Sequence, residues 1–202
     1  MKTLIAYIFL AFVLINCSNI NTKSAFEGTP QKHNTAPVGT ISSESIYMLT
    51  DTFQTQQNNN VTLSSFAGKP TVVGMIFTNC TYACPRLTAD IKNIEEKLKD
   101  ENRKVNYLLV SFDSERDQPA QLKKFANNLG LDANWTLLHG SEQSVRTLSV
   151  LLNLQFEKDA EGNFSHSNII SVLDKTGVLR FQKEGLDADQ AETISNIKQM
   201  LQ

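Results

Sequence analysis

Cys80 and Cys84, four residues apart, and the distant His166 are the side chains whose types and spacing could do chemistry in this sequence. A thiolate is both a nucleophile and a soft metal ligand, and imidazole is a borderline one, so two cysteines and a histidine suit copper, with zinc the main competitor. The cysteines are positioned locally. The apolar run 72–77 reads as a fully buried strand, and from Pro85 onward Leu87, Ile91, Ile94 and Leu98 follow helical spacing. The pair therefore sits on a strand-to-helix turn. Proline favours the first helical position and pushes the residue before it out of the α region, so Cys84 is the expected cap and 80–83 a pre-helical loop. Two positions four apart in a regular helix hold their Cβ atoms about 5–6 Å apart, whereas a disulfide wants about 3.8 Å. A loop can supply either spacing, so this C-x-x-x-C can chelate a metal or close a disulfide. The helix N-terminus favours thiolate in both uses.

The elements that must carry these residues follow from hydrophobic patterning. Segments 46–53 and 61–63 read as a small hairpin, 105–113 as a second strong strand, and 119–129 as a helix stopped by Gly130. A short strand at 135–138 precedes a helix capped by Ser141 and running to Leu152. Strands at 168–174 and 178–183 are joined by Lys175-Thr176-Gly177, too short for anything but a hairpin, and a last helix begins around Asp187 and Gln190. Strand and helix alternate three times before two strands and a helix, the thioredoxin-like α/β order, with a parallel sheet and right-handed crossovers. Ligands bind beyond the carboxyl ends of such strands. Cys80, Cys84 and Asp113 fall at that edge, and His166, just before an antiparallel strand, is delivered to it. His139 ends the third parallel strand at the same edge and is the alternative to His166. Met75 and Trp135 read as core.

The 202 residues are 41% hydrophobic and 20% charged, with net charge −2, the balance of a soluble globular domain with extra segments. Without a basic excess, nucleic acid is excluded as a partner. Three cysteines are too few for a disulfide-stapled scaffold. At the N-terminus Lys2 precedes the twelve-residue apolar run 4–15, the length of a signal h-region and short of the roughly 20 residues that span a bilayer. Leu14-Ile15-Asn16-Cys17 resembles a bacterial lipoprotein box, with Asn16 in place of the usual small residue. Residues 1–17 are thus expected to be an export signal whose Cys17 is acylated, holding the protein at the cell membrane on the extracytoplasmic side. Residues 18–45, rich in Asn, Thr, Ser and Gly, read as a flexible tether in which His33 is solvated. The folded domain is expected over 46–202.

Several separated motifs resemble the Sco (SenC) family of copper chaperones for cytochrome c oxidase. They are Val61-Thr62-Leu63 with Gly68-Lys69-Pro70, Phe77-Thr78-Asn79-Cys80 through Cys84-Pro85, Val110-Ser111-Phe112-Asp113 with Arg116-Asp117 and Pro119, and His166-Ser167 before a strand ending Leu173-Asp174 and Gly177. Ser114 stands where the family has proline, and Tyr82-Ala83 replaces the commoner acidic and aliphatic pair. The resemblance implies one copper, Cu(I) or Cu(II), per chain, with Cys80, Cys84 and His166 as ligands and Asp113 as the nearby carboxylate. It implies a protein that delivers copper to the binuclear site of a terminal oxidase subunit or reduces that site's cysteines, with a thioredoxin-like reductant as a further partner. A membrane-tethered thiol-disulfide oxidoreductase, in which His166 is no ligand, is the alternative reading, and a redox or copper sensor a weaker one. The spacing C-x-x-x-C and the lack of any proline after Pro119 favour metal over thioredoxin-type catalysis.

Overall fold

The computed structural model describes residues 42–202. The expected signal and Cys17, His33 and nearly all of the expected tether lie outside the described residues. Ser45, the last residue of that tether, is buried and bridges Val178. The described elements are β1 (Phe53–Thr55), β2 (Asn60–Val61), β3 (Thr71–Ile76), α1 (Ala83–Leu98), β4 (Asn106–Ser111), α2 (Pro119–Asn128) and β5 (Trp135–His139), then α3 (Glu142–Leu151), β6 (Phe156–Lys158), β7 (Phe164–His166), β8 (Ile169–Leu173), β9 (Leu179–Glu184) and α4 (Ala191–Leu201).

One seven-stranded sheet runs in the order β2-β1-β5-β4-β3-β8-β9, with β3, β4 and β5 parallel and β8 antiparallel to β3. This is the thioredoxin-like α/β arrangement expected from the sequence. Central β3 is buried at every position because strands flank both its edges and helices cover the sheet. Helix α1 turns Leu87, Ile91, Ile94 and Leu98 onto β3 and β8 and packs against α4. The approach is so close that a Cβ on Gly74 would meet Ile91 Cδ1 at 3.0 Å and Leu109 Cδ2 at 3.2 Å, which explains a glycine in mid-strand. Trp135 is core as expected, stacked on Tyr107 at 5.2 Å with its indole N–H donating to Glu95 at 2.8 Å. Among the described residues no helix is long and apolar enough to cross a membrane.

Three local expectations are corrected. Residues 46–48 form a 3-10 turn rather than a strand, because the Ser45 hydroxyl accepts the Tyr47 N–H and caps it. The N-cap of α1 is Tyr82, not Cys84, and Pro85 is the third helical residue, where its missing N–H is still one of the unbonded first four. A separate two-stranded hairpin, β6–β7, stands between α3 and β8 and carries His166 at its end.

Candidate metal centre

The cysteine turn is wound around its own sulfurs. Cys80 N–H donates to Phe77 O at 3.2 Å, Cys84 N–H to Cys80 Sγ at 3.3 Å, and Phe77 N–H to Cys84 Sγ at 3.4 Å. Tyr82 makes no side-chain capping bond, and the Cys80 sulfur takes that place by accepting an N–H of the first turn. That substitution is why α1 starts before Pro85. Both thiols are free, Cys80 partly exposed and Cys84 fully buried. Their proton affinities diverge accordingly. At Cys80 burial pushes the thiol up, but N–H groups of Cys84, Tyr82 and Ala83 together with the Cys84 thiol outweigh it and bring the group below the ordinary thiol range. At Cys84 burial dominates and, with the Cys80 and Asp117 charges, holds the proton firmly. One sulfur is thus a poised nucleophile and the other a stored thiol.

Two carboxylates follow β4, both fully buried. Asp113, the sequence candidate, receives the Arg116 guanidinium and the Arg116 backbone N–H, the latter at 3.3 Å. The carboxylate tied to the cysteine turn is Asp117, which accepts Thr78 N–H at 2.8 Å, Thr78 O–H at 2.5 Å and Ser111 O–H at 2.6 Å. Sequence reasoning gave Asp117 no role. Its only local signal is the spacing from Ser111, which lets it close the turn after β4.

His166 reaches the same edge on the end of β7, opposite Phe156 in the hairpin register. Its ring lies 4.9 Å from that of Phe112 and edge-on to Phe77 at 6.1 Å, within an aromatic cluster completed by Phe156 and Phe164. Nδ1 stands 3.1 Å from Ser167 O. A carbonyl only accepts, so this contact places the proton on Nδ1 and leaves the Nε2 lone pair available to a metal. Beside His166 opens a cavity of about 530 Å³, lined also by Glu157, Ser165, Asn168 and Glu184 but by neither cysteine.

Among the described residues no three His, Cys, Asp or Glu side chains stand close enough to hold one ion together. The fold joins the two thiols directly and sets the His166 ring edge-on to that of Phe77, the residue whose backbone N–H bonds Cys84. His139 ends β5, which β4 separates from β3, the strand leading to the cysteines, by two strand spacings, roughly 9–10 Å. Its Nδ1 is buried without a partner. The donor set fits a thiophilic ion, since both sulfurs and the free imidazole nitrogen lie at one sheet edge, with the hairpin bearing the third donor.

The family model for SCO1/SenC matches residues 43–202. The chain belongs to the SCO1/SenC family. A Bacillus subtilis "SCO1 protein homolog" is 46% identical over 94 residues, so the aligned stretch spans 46% of this chain and about half, 49%, of that relative. BsSco, described as a member of the Sco family of cytochrome c oxidase assembly proteins with a disulfide switch, superposes with TM-score 0.65 at 31% identity, covering 74% of this chain and 90% of BsSco. Bradyrhizobium japonicum ScoI, solved with copper bound, gives TM-score 0.65 at 23% identity, covering 74% and 96%, and supports the fold.

Proposed function

We propose that this chain is an extracytoplasmic copper-binding protein of cytochrome c oxidase assembly, delivering copper to the oxidase's binuclear site or reducing that site's cysteines. Family membership supports the copper and assembly class. The observation that carries the reading is the hydrogen-bonded ring of Phe77, Cys80 and Cys84, which presents two sulfurs, one partly exposed and one buried, on one turn. As cargo, copper would meet Cys80 first, because it is the more exposed and thiolate-prone of the two, and binding to Cys84 would release that residue's proton. His166 Nε2 would complete the set for Cu(II), which favours imidazole, while the thiolates suffice for Cu(I). The full chain is expected to take up one copper, and stoichiometric copper retained by the Cys80→Ala, Cys84→Ala double variant would overturn this assignment.

The unlike thiols also support reduction of a partner disulfide. Cys80 thiolate would attack one partner sulfur and release the other as thiolate. Cys84, once deprotonated, would then attack Cys80, releasing the second partner thiolate and leaving a Cys80–Cys84 disulfide, two electrons having passed to the partner. A thioredoxin-like dithiol would restore the pair. The two uses exclude each other: a disulfide needs sulfurs about 2.05 Å apart, and two thiolates on one ion, at bonds near 2.3 Å as for zinc, stand roughly 4 Å apart. His166→Ala separates them. Copper affinity unchanged in both oxidation states, with a shifted thiol-disulfide potential, would promote the oxidoreductase over the chaperone.

The proposed location rests on Cys17. Acylation there would hold the protein at the membrane, so the chain should label with fatty acid and Cys17→Ala should lose the label.

A further inference from the structure

The loop that follows β4 touches both halves of the centre. Its internal bonds make it stiff: Ser111 O–H donates to Asp117 Oδ2 at 2.6 Å while Ser111 Oγ accepts Asp113 N–H at 3.0 Å, and Asp117 N–H returns to Asp113 O at 3.0 Å. On one side Asp117 takes both donors of Thr78, two residues before Cys80. On the other side Arg116, aimed by the buried carboxylate of Asp113, donates to Gly162 O at the tip of the β6–β7 hairpin. The guanidinium also lies over the Phe164 ring at 5.8 Å. Gly162 has φ +82, and a Cβ there would sit 3.4 Å from Arg116 Nη1, so the tip meets the guanidinium through a residue without a side chain. Lys158 to Glu115, at 2.5 Å, is a second tie between hairpin and loop.

We propose that the loop 113–117 sets the spacing of the metal centre, with Asp117 holding the cysteine turn and Arg116, aimed by Asp113, latching the hairpin that carries His166. Arg116 and Asp113 are then positioning residues, acting on His166 through the register that pairs it with Phe156. The hairpin needs such a latch because each of its strands has three residues and only Phe156 is buried. This assignment rests on the copper reading for its metal arm, but not for its hairpin arm.

The test compares Arg116→Gln, Arg116→Lys and Asp117→Asn in the full chain. Without copper, Arg116→Gln should speed amide hydrogen exchange across 156–166 more than tenfold and leave α1 at the wild-type rate. With copper, Arg116→Gln should weaken Cu(II) roughly 10–100-fold, the range for loss of a group that orients a ligand, and alter the Cu(II) spectrum. Cu(I), held by the thiolates, should change less than about threefold. Arg116→Lys keeps the charge but cannot bond Asp113 and Gly162 O together, so it should recover only part of both effects. Asp117→Asn should change the alkylation rate of Cys80 and spare hairpin exchange. Hairpin exchange unchanged in Arg116→Gln overturns the latch, whatever copper does. Faster exchange with unchanged Cu(II) affinity overturns its control of the centre. A wild type that binds no copper overturns the copper reading, and hairpin exchange still decides the latch. If Arg116→Gln does not fold, Arg116→Lys carries the same test: it cannot bond Asp113 and Gly162 O together, so exchange across 156–166 should still rise, by less, and no rise overturns the latch.

Discussion

The turn bearing Cys80 and Cys84 is fed by β3, buried at every residue, and opens onto a helix that buries Leu87, Ile91, Ile94 and Leu98. The hairpin bearing His166 has two three-residue strands, charged or polar at Glu157, Lys158 and Ser165, and is held from outside by aromatic stacking and the ties to Glu115 and Arg116. The cysteine pair therefore inherits the stability of the whole sheet, whereas the histidine depends on a few contacts that can open locally. Under the proposed copper reading, one rigid and one latched half would keep the thiols in place while His166 opens and closes, which would suit a cargo that must be both bound and released.

The largest effect is expected where the two halves share a core. Phe112 touches the rings of Phe77, Phe156, Phe164 and His166, so Phe112→Ala should cost about 3–5 kcal/mol in denaturant unfolding. A loss under about 1 kcal/mol would show that hairpin and turn are not packed together. Next come the sulfurs. Cys80→Ser and Cys84→Ser should each lower copper affinity at least about 100-fold, or roughly 2.7 kcal/mol. Titration with a competing chelator reads this, and an affinity within tenfold of wild type for either variant would mean that its sulfur is no ligand.

A smaller effect sharpens the contrast within the turn itself. Because the Cys80 thiol is held below the ordinary range and Cys84 above it, iodoacetamide should modify Cys80 at least about tenfold faster near neutral pH. The rate at Cys80 should rise with pH through its own low range and level off, while Cys84 stays the slower site across that range. Equal rates, read by mass spectrometry of the two modified sites, would erase the asymmetry. The smallest effect is expected at Asp174, beyond the other end of β8, where neither half of the centre is involved. Burial raises this carboxyl, but bonds from Thr176, Arg180 and Val178 outweigh it and hold it below its usual value. The unfolded chain therefore binds the proton more readily. The carboxylate's stabilising contribution should be complete above the unfolded carboxyl range near pH 4 and fade as pH falls through the lower folded value. Asp174→Asn should cost about 1 kcal/mol at pH 7 and less in acid, with copper affinity unchanged. A cost that grows in acid would reverse the sign argued here.

Much of the fold was legible because its signals are local. The run 72–77, the helical spacing from Leu87 to Leu98 and the Ser141 cap each reflect one element burying one face, and the cysteines fall between two such elements. The start of α1 was not legible, since no propensity scale counts a thiol as a cap, and here the Cys80 sulfur accepts the Cys84 N–H. The β6–β7 hairpin was missed because 157–161 is short and mostly charged, without the alternation that marks a half-buried strand. Gly162-Asn163 between Phe156 and Phe164 was the available turn signal.

The sequence by itself determined the candidate donors, the place of the cysteines at the carboxyl edge of a thioredoxin-like sheet, and the family. The placement depends on hydrophobic period and turn chemistry over a few residues, and the family on separated motifs between Val61 and Gly177. Tertiary structure alone decided which of two neighbouring aspartates holds Thr78 and which aims Arg116, and that β4 stands between His139 and the cysteines. It also split the two thiols into a partly exposed one of lowered proton affinity and a fully buried one. Burial and hydrogen-bond geometry are set by distant chain segments meeting in space, as Thr78 meets Asp117, 39 residues on, and Phe77 meets His166, and no spacing along the sequence encodes that meeting.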